Sequence, residues 1–215
     1  MNRDDFLARV SRAALKAELP DAPTTQPLSA PGDVDLVEMF RTRAQLVNTV
    51  VHGPMPRHSV PRSVAGVAAG HDVETYATWD DLPAPGVAGA LSAEGYDRVE
   101  DHGAPEGAFH NPPFARVDFG ITGSSFGLAE SGSVVLEHGP GRSRLLSCLP
   151  AVHVALLHVD QIHRSLAHWA AEYPDSPVGT ANLVIVTGPS RTGDIEQNLN
   201  LGVHGPKHLH VVLIR

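Results

Sequence analysis

Residues 152–159, 183–186 and 209–214 are short, predominantly apolar runs, each bounded by polar or glycine-proline punctuation. A short apolar run of this kind reads as a strand buried on both faces, and such strands belong to parallel sheets. Between the first two runs Ile162, Leu166, Trp169, Ala170 and Tyr173 form one helical stripe, with Asp160 placed to cap it. Parallel neighbours need long crossovers, which alternating strands and helices supply. The chain is therefore expected to be α/β, with a mostly parallel sheet covered on both faces.

Upstream, Phe6, Val10, Ala13, Ala14 and Ala17 recur at helical spacing and predict an amphipathic helix over 4–19. Residues 20–32 hold four prolines and little apolar content, the composition of an extended linker. Residues 1–32 are thus an arm, and the folded domain is expected over 33–215. Val34, Val37, Phe40, Ala44, Val47 and Val51 predict a helix over 33–51 capped by Asp33. Strands are expected over 63–69, 73–79 and 133–137, a helix over 87–94, and an acidic, Pro-rich loop over 101–113. Thr122 is placed to cap a short helix over 123–129.

Composition narrows the chemistry. With 16 Lys and Arg against 24 Asp and Glu, the charge of −8 argues against a non-specific nucleic-acid binder, which neutralises phosphates with excess base. Cys148 is the only cysteine, so this chain alone offers no disulfide framework, no thiolate zinc site and no four-cysteine iron-sulfur cluster. Its apolar neighbours suggest an inert core thiol. The N-terminal segment mixes acids and bases, and no run of about 18 apolar residues occurs, so a soluble, cytoplasmic protein is expected.

Two constellations carry chemistry. In residues 188–196 (GPSRTGDIE), a helical turn beginning near Thr192 or Gly193 would aim free N–H groups at the loop, beside Ser190, Thr192 and the Arg191 fork. Such a loop suits a carboxylate or phosphate. The alternative is that Asp194 and Glu196 complement the helix dipole while Arg191 ties the loop down. The second constellation is Gly120-Ile121-Thr122-Gly123 followed by Ala129-Glu130-Ser131-Gly132-Ser133. Glu130 at that junction could act as nucleophile, general base or orienting group, or could simply pair with an arginine.

Histidine is abundant, at 13 residues. His208 and His210 would face the same way along a strand, the geometry of a two-histidine metal clamp, but no third ligand follows at a diagnostic spacing. Hydrogen-bonded imidazoles are the default reading. His52, His102, His138 and His204 each precede glycine, which suggests turns rather than a shared site. Trp79, Trp169 and Tyr173 read as packing residues.

Together, the segment from Gly120 through Ser133-Val134-Val135-Leu136 and the segment from Gly188 through Glu196 to Leu201-Gly202-Val203-His204-Gly205-Pro206 resemble the lactate-utilisation protein C family, the short LUD-domain proteins. The likeness covers residues 119–215 well and the first half only in its helix layout. It departs at Gly193, where the family often has Ala, and in a short segment over 52–62. The resemblance implies a three-layer α/β fold similar to ribose-phosphate isomerases, glucosamine-phosphate deaminases and coenzyme A transferases. It also implies a cluster-free subunit, binding no cofactor itself, that supports oxidation of L-lactate to pyruvate. Its partners would be a cysteine-rich subunit and an iron-sulfur LUD subunit, with the iron-sulfur clusters in those partners. On that reading Thr122, Ser190, Arg191, Thr192, Asp194 and Glu196 face a small carboxylate or other anion, and Glu130 and His204 transfer protons. The alternatives are an autonomous enzyme on a coenzyme A ester or sugar phosphate, and a purely structural scaffold.

Overall fold

The computed structural model describes residues 2–16, 34–100, 116–173, 182–192, 200–202 and 204–215. The chain divides into two units, Met1–Ala30 and Pro31–Arg215. In the first, helix α1 (Arg3–Lys16) leaves Phe6, Leu7 and Val10 exposed. Residues 20–32 and 101–113 lie outside the described residues. No described helix is long and apolar enough to cross a membrane.

Among the described residues of the second unit, six strands form a sheet in the order β1 (Val50–Met55), β12 (His208–Ile214), β7 (Val152–His158), β4 (Phe119–Gly123), β2 (Thr75–Thr78) and β3 (Asp97–Arg98). Every neighbouring pair is parallel. On one face α3 (Val60–Ala69) and α4 (Val87–Ala93) bury Val64 and Leu91 against Phe119, Ile121, Val154 and Val212. On the other, Phe40 and Ala44 of α2 (Leu36–Leu46) pack on Ala155, Leu157, Val211 and Leu213. Each large side chain buried in these layers contributes roughly 1.5–3 kcal/mol.

The α2 face also carries a second sheet, in the order β8 (Ile162–His163), β5 (Phe126–Leu128), β6 (Ser133–His138), β9 (Asn182–Val186). Its pairs are antiparallel except β5 with β8. Gly127 permits this layer, since a Cβ there would lie 2.7 Å from Leu157 and 3.3 Å from Phe40. The remaining described α-helix is α5 (Leu166–Glu172), and β10 (Arg191–Thr192) pairs antiparallel with β11 (Asn200–Leu201).

The strands expected over 73–79, 133–137, 152–159 and 209–214 and the helix over 87–94 are present. Several expectations are overturned. Residues 63–69 are helical: Val60, Val64, Val67 and Ala68 are buried at helical spacing and Pro61 sits in the first turn, its fixed φ suited to a helix start. The helix expected over 33–51 stops at Leu46, because Asn48 takes φ 63° and Val50 opens a strand. Its cap is Asp35, which accepts from the Val37 and Glu38 N–H groups; Asp33 lies outside the described residues. No helix follows Thr122, for β4 runs on to Gly123 and β5 occupies the segment expected to be helical. Asp160 caps nothing; α5 begins after Ser165, whose hydroxyl accepts from the His168 N–H, and Ile162 belongs to β8. The run 183–186 is a half-buried edge strand of the second sheet, not part of the parallel one. Cys148 is exposed rather than core.

Candidate functional site

In an open parallel sheet, ligands bind beyond the carboxyl ends of the strands, where adjacent strands send their chains to opposite faces. Here that point falls between β2 and β4. From β2 the chain leaves toward α4, on the α3 face, whereas β4 leads into β5, on the other face. A cleft of about 340 Å³ opens there. One wall comes from the segment after β2 (Trp79, Asp81, Pro83) and one from the segment closing β4 (Gly123, Ser124, Ser125). His158 at the end of β7, Gln161, Glu137 of β6 and Arg142 from the following turn complete it.

The arginine is held firmly. Its Nε donates to Asp81 Oδ2 at 2.8 Å and its NH2 donates to the same oxygen. The guanidinium carbon stands 5.8 Å from the Trp79 ring centroid, within cation–π range. Trp79 is fixed in turn by its indole N–H, which donates to the Ser143 carbonyl at 3.0 Å. Asp81 raises the Arg142 pKa, chiefly through that hydrogen bond. Behind Trp79, His138 meets it edge-on at 5.5 Å, and burial followed by the charges of Arg144 and Arg142 lowers its pKa. Ser124 is 8% exposed, and its Oγ is buried without a hydrogen-bond partner among the described residues. A buried hydroxyl without a partner costs about 1–3 kcal/mol, so a ligand supplying that partner gains more than one meeting a satisfied group.

The residues singled out from sequence lie elsewhere, in several places. Thr122 is fully buried within β4, and its Oγ1 lies 2.9 Å from His153 Nε2. Glu130 accepts from Arg164 Nε at 2.8 Å, so its partner is Arg164 rather than Arg191. Ser190 lies by the amino ends of β7 and β12, the opposite end of the parallel sheet from the cleft. Its N–H donates to the Pro206 carbonyl, while Lys207 and His208 donate to Ala151, just ahead of β7. The His204 N–H donates to Ser190 Oγ at 3.4 Å, which brings those two together. Arg191 is exposed, and with Thr192 it forms β10; the helical turn expected from Thr192 or Gly193 onward falls on residues outside the described ones. Asp194 and Glu196 lie outside the described residues.

The two sequence motifs share a packing role. Gly132, at φ 66°, approaches α2 so closely that a Cβ would lie 2.1 Å from the Ala44 nitrogen; at Gly188, φ 80°, it would lie 2.4 Å from the Val47 carbonyl. Ser133 Oγ ties the two segments through Thr187 Oγ1 at 2.7 Å. Sequence reasoning missed the cleft residues Asp81, Ser124, Arg142 and His158. The available signals were polar residues directly after an apolar strand (Gly123-Ser124-Ser125) and the arginine closing the Gly139-Pro140-Gly141 turn.

The fold and cleft define an α/β domain with a parallel central sheet and a cleft at its switch point. Within that class the LUD domain profile matches residues 37–214, and the chain belongs to the LUD-domain family. It is 32% identical to a lactate utilization protein C of Halalkalibacterium halodurans, over 75% of this chain and 76% of that one. A lactate utilization protein C of an Exiguobacterium species is 28% identical, over 99% of this chain and 96% of that one. The crystal structure of a DUF162 family protein from Deinococcus radiodurans superposes with a TM-score of 0.61 at 21% identity, over 86% of this chain and 100% of that one. That likeness speaks for the fold.

Proposed function

We propose that this LUD-domain protein serves lactate utilization by holding a small carboxylate, lactate or pyruvate, in the cleft between β2 and β4. The observation that carries the reading is the pairing of an oriented cation, Arg142, with the buried Ser124 hydroxyl, which has no partner among the described residues, at the switch point. Asp81 fixes the guanidinium plane, so little rotamer freedom is lost when a carboxylate docks on its remaining donors. Ser124 and Ser125 donate to the carboxylate, Glu137 accepts from the 2-hydroxyl, and His158 exchanges a proton with the solvent side. Oxidation of lactate to pyruvate releases two electrons and two protons. As the family resemblance implies, iron-sulfur clusters held by a cysteine-rich subunit and an iron-sulfur LUD subunit would take up the electrons, since this chain, with Cys148 as its only cysteine, cannot by itself hold a four-cysteine cluster. The fold is read as a relative of the ribose-phosphate isomerase, glucosamine-phosphate deaminase and coenzyme A transferase group.

Calorimetry of L-lactate and pyruvate against the wild type and Arg142→Ala tests the site. Binding of at least one ligand, weakened about tenfold or more by the substitution, is the expected result. Equal binding by both proteins, or none by either, removes the assignment.

A further inference from the structure

At the other edge of the parallel sheet, four imidazoles from three distant parts of the chain converge. His210 lies near the start of β12, on the face covered by α3. Register places Val50 opposite His210 and Val51 opposite Val211, which brings His52 of β1 alongside. The loop that leaves α3 for β2 supplies His71. Nε2 of His52 is 3.0 Å from Nδ1 of His210, and Nε2 of His71 is 3.0 Å from Nε2 of His210. His208, two residues earlier on the same face, sets its ring centroid 4.6 Å from that of His71. His210 is 8% exposed, while His52 and His71 are half-buried.

Counting protons shows what this chain of rings can do. A neutral imidazole carries one N–H, and each N···N contact is a hydrogen bond only when one proton lies between the two nitrogens. Three neutral rings satisfy both contacts, with the remaining proton on the outer Nδ1 of His52 or of His71. One added proton goes to the other outer nitrogen and leaves both bonds intact. A second added proton has nowhere to go except a nitrogen already facing a donor, so one contact becomes N–H against N–H and must break. His210 cannot yield, being buried on a strand with neighbours on both sides. The rings able to move are His52 on the edge strand and His71 on a loop.

We propose that His52, His210 and His71 form a proton-gated latch, closed with at most one extra proton and opened by the second, which frees the α3–β2 loop from β1 and β12. The charges surrounding it reinforce the gate. Those acting on His210 come from His52, His71 and His208, and those on His208 from His71 and Lys207. On the same face β7 presents Val152 and Val154, and α3 presents Val67 and Ala68. By strand alternation His153 points to the other side. Asp72 follows His71 in the loop. Burial, then the neighbouring imidazoles, lowers His210 to about 3, and burial also lowers His52. Protons are therefore held off until the solution falls well below the usual imidazole range. The released loop leads straight into β2, whose far end carries Trp79.

Hydrogen–deuterium exchange of the full chain, followed from about pH 7 to about pH 4 and corrected for intrinsic rates, tests the latch. Exchange at residues 70–74 and 50–55 should rise about tenfold or more in one step steeper than a single titration. His71→Ala should exchange quickly in the loop at every pH and lose the step. His58→Ala, which removes an exposed histidine outside the cluster, should keep it. Flat exchange in the wild type overturns the proposal, as does a step that persists in His71→Ala. Stoichiometric zinc or cobalt bound by the cluster and abolishing the step would make it a metal site instead.

Discussion

Thr122 and His153 share a 2.9 Å hydrogen bond across neighbouring parallel strands, and both residues are fully buried. Nδ1 of the same imidazole has no partner among the described residues. Burial lowers the His153 pKa to about 4, so the folded protein holds this ring neutral where the unfolded chain protonates it at its usual value. The unfolded state then binds the extra proton as pH falls below about 6.5, and stability drops by about 1.4 kcal/mol per pH unit until the folded-state value is reached. Urea unfolding of the wild type and His153→Leu at several pH values checks this. The leucine variant should show a shallower acid slope by that amount, and identical slopes would mean that His153 is charged in the fold.

Glu130 and Arg164 form a partly exposed pair, the carboxylate side chain being 47% exposed. Exposed pairs contribute about 0–1 kcal/mol. Glu130→Gln keeps the shape and should cost no more than that, while leaving lactate and pyruvate affinity unchanged in calorimetry. A large loss of affinity would return Glu130 to the binding machinery.

Where periodicity and burial agree, the sequence was readable. The runs that became β7 and β12 are apolar because both their faces are covered, and the stripe through Phe40 and Ala44 is helical because one face meets the sheet. The second sheet was hidden: β5 spans only Phe126–Leu128, too short to show a period, and β9 is apolar although it lies at an edge. Gly66 and the small alanines of α3 diluted its helical signal. The motifs at Glu130 and Arg191 were legible as a family signature, yet their glycines serve close packing on α2. The cleft was not legible, because Asp81, Ser124 and Arg142 meet only through the adjacency of β2 and β4 and the fold of β6 onto them.

Glycines with different surroundings should respond oppositely to alanine. At Gly132 a Cβ would lie 2.1 Å from the Ala44 nitrogen and the backbone sits at φ 66°, so Gly132→Ala must push α2 off the second sheet. A loss of several kcal/mol, on the scale of severe overpacking plus a strained φ, should leave little folded protein. Gly66 lies inside α3 with nothing within 4 Å of its would-be Cβ. Gly66→Ala should stabilise by about 0.5–1 kcal/mol through helix propensity alone. Thermal unfolding of the two variants separates the cases.

Ser124→Ala tests whether the cleft hydroxyl is kept for a ligand. Ser124 Oγ is buried and makes no hydrogen bond among the described residues, so deleting it removes an unsatisfied polar group and should leave stability without ligand unchanged or raise it by about 1 kcal/mol. If the hydroxyl bonds the bound carboxylate, the same deletion should weaken lactate or pyruvate binding by about fivefold to tenfold. Few substitutions move stability and affinity in opposite directions, and a residue that merely packs the end of β4 does not. Melting temperature and calorimetric affinity, measured on one preparation, decide the point. Affinity unchanged beside a higher melting temperature would show that Ser124 lines the cleft without serving it.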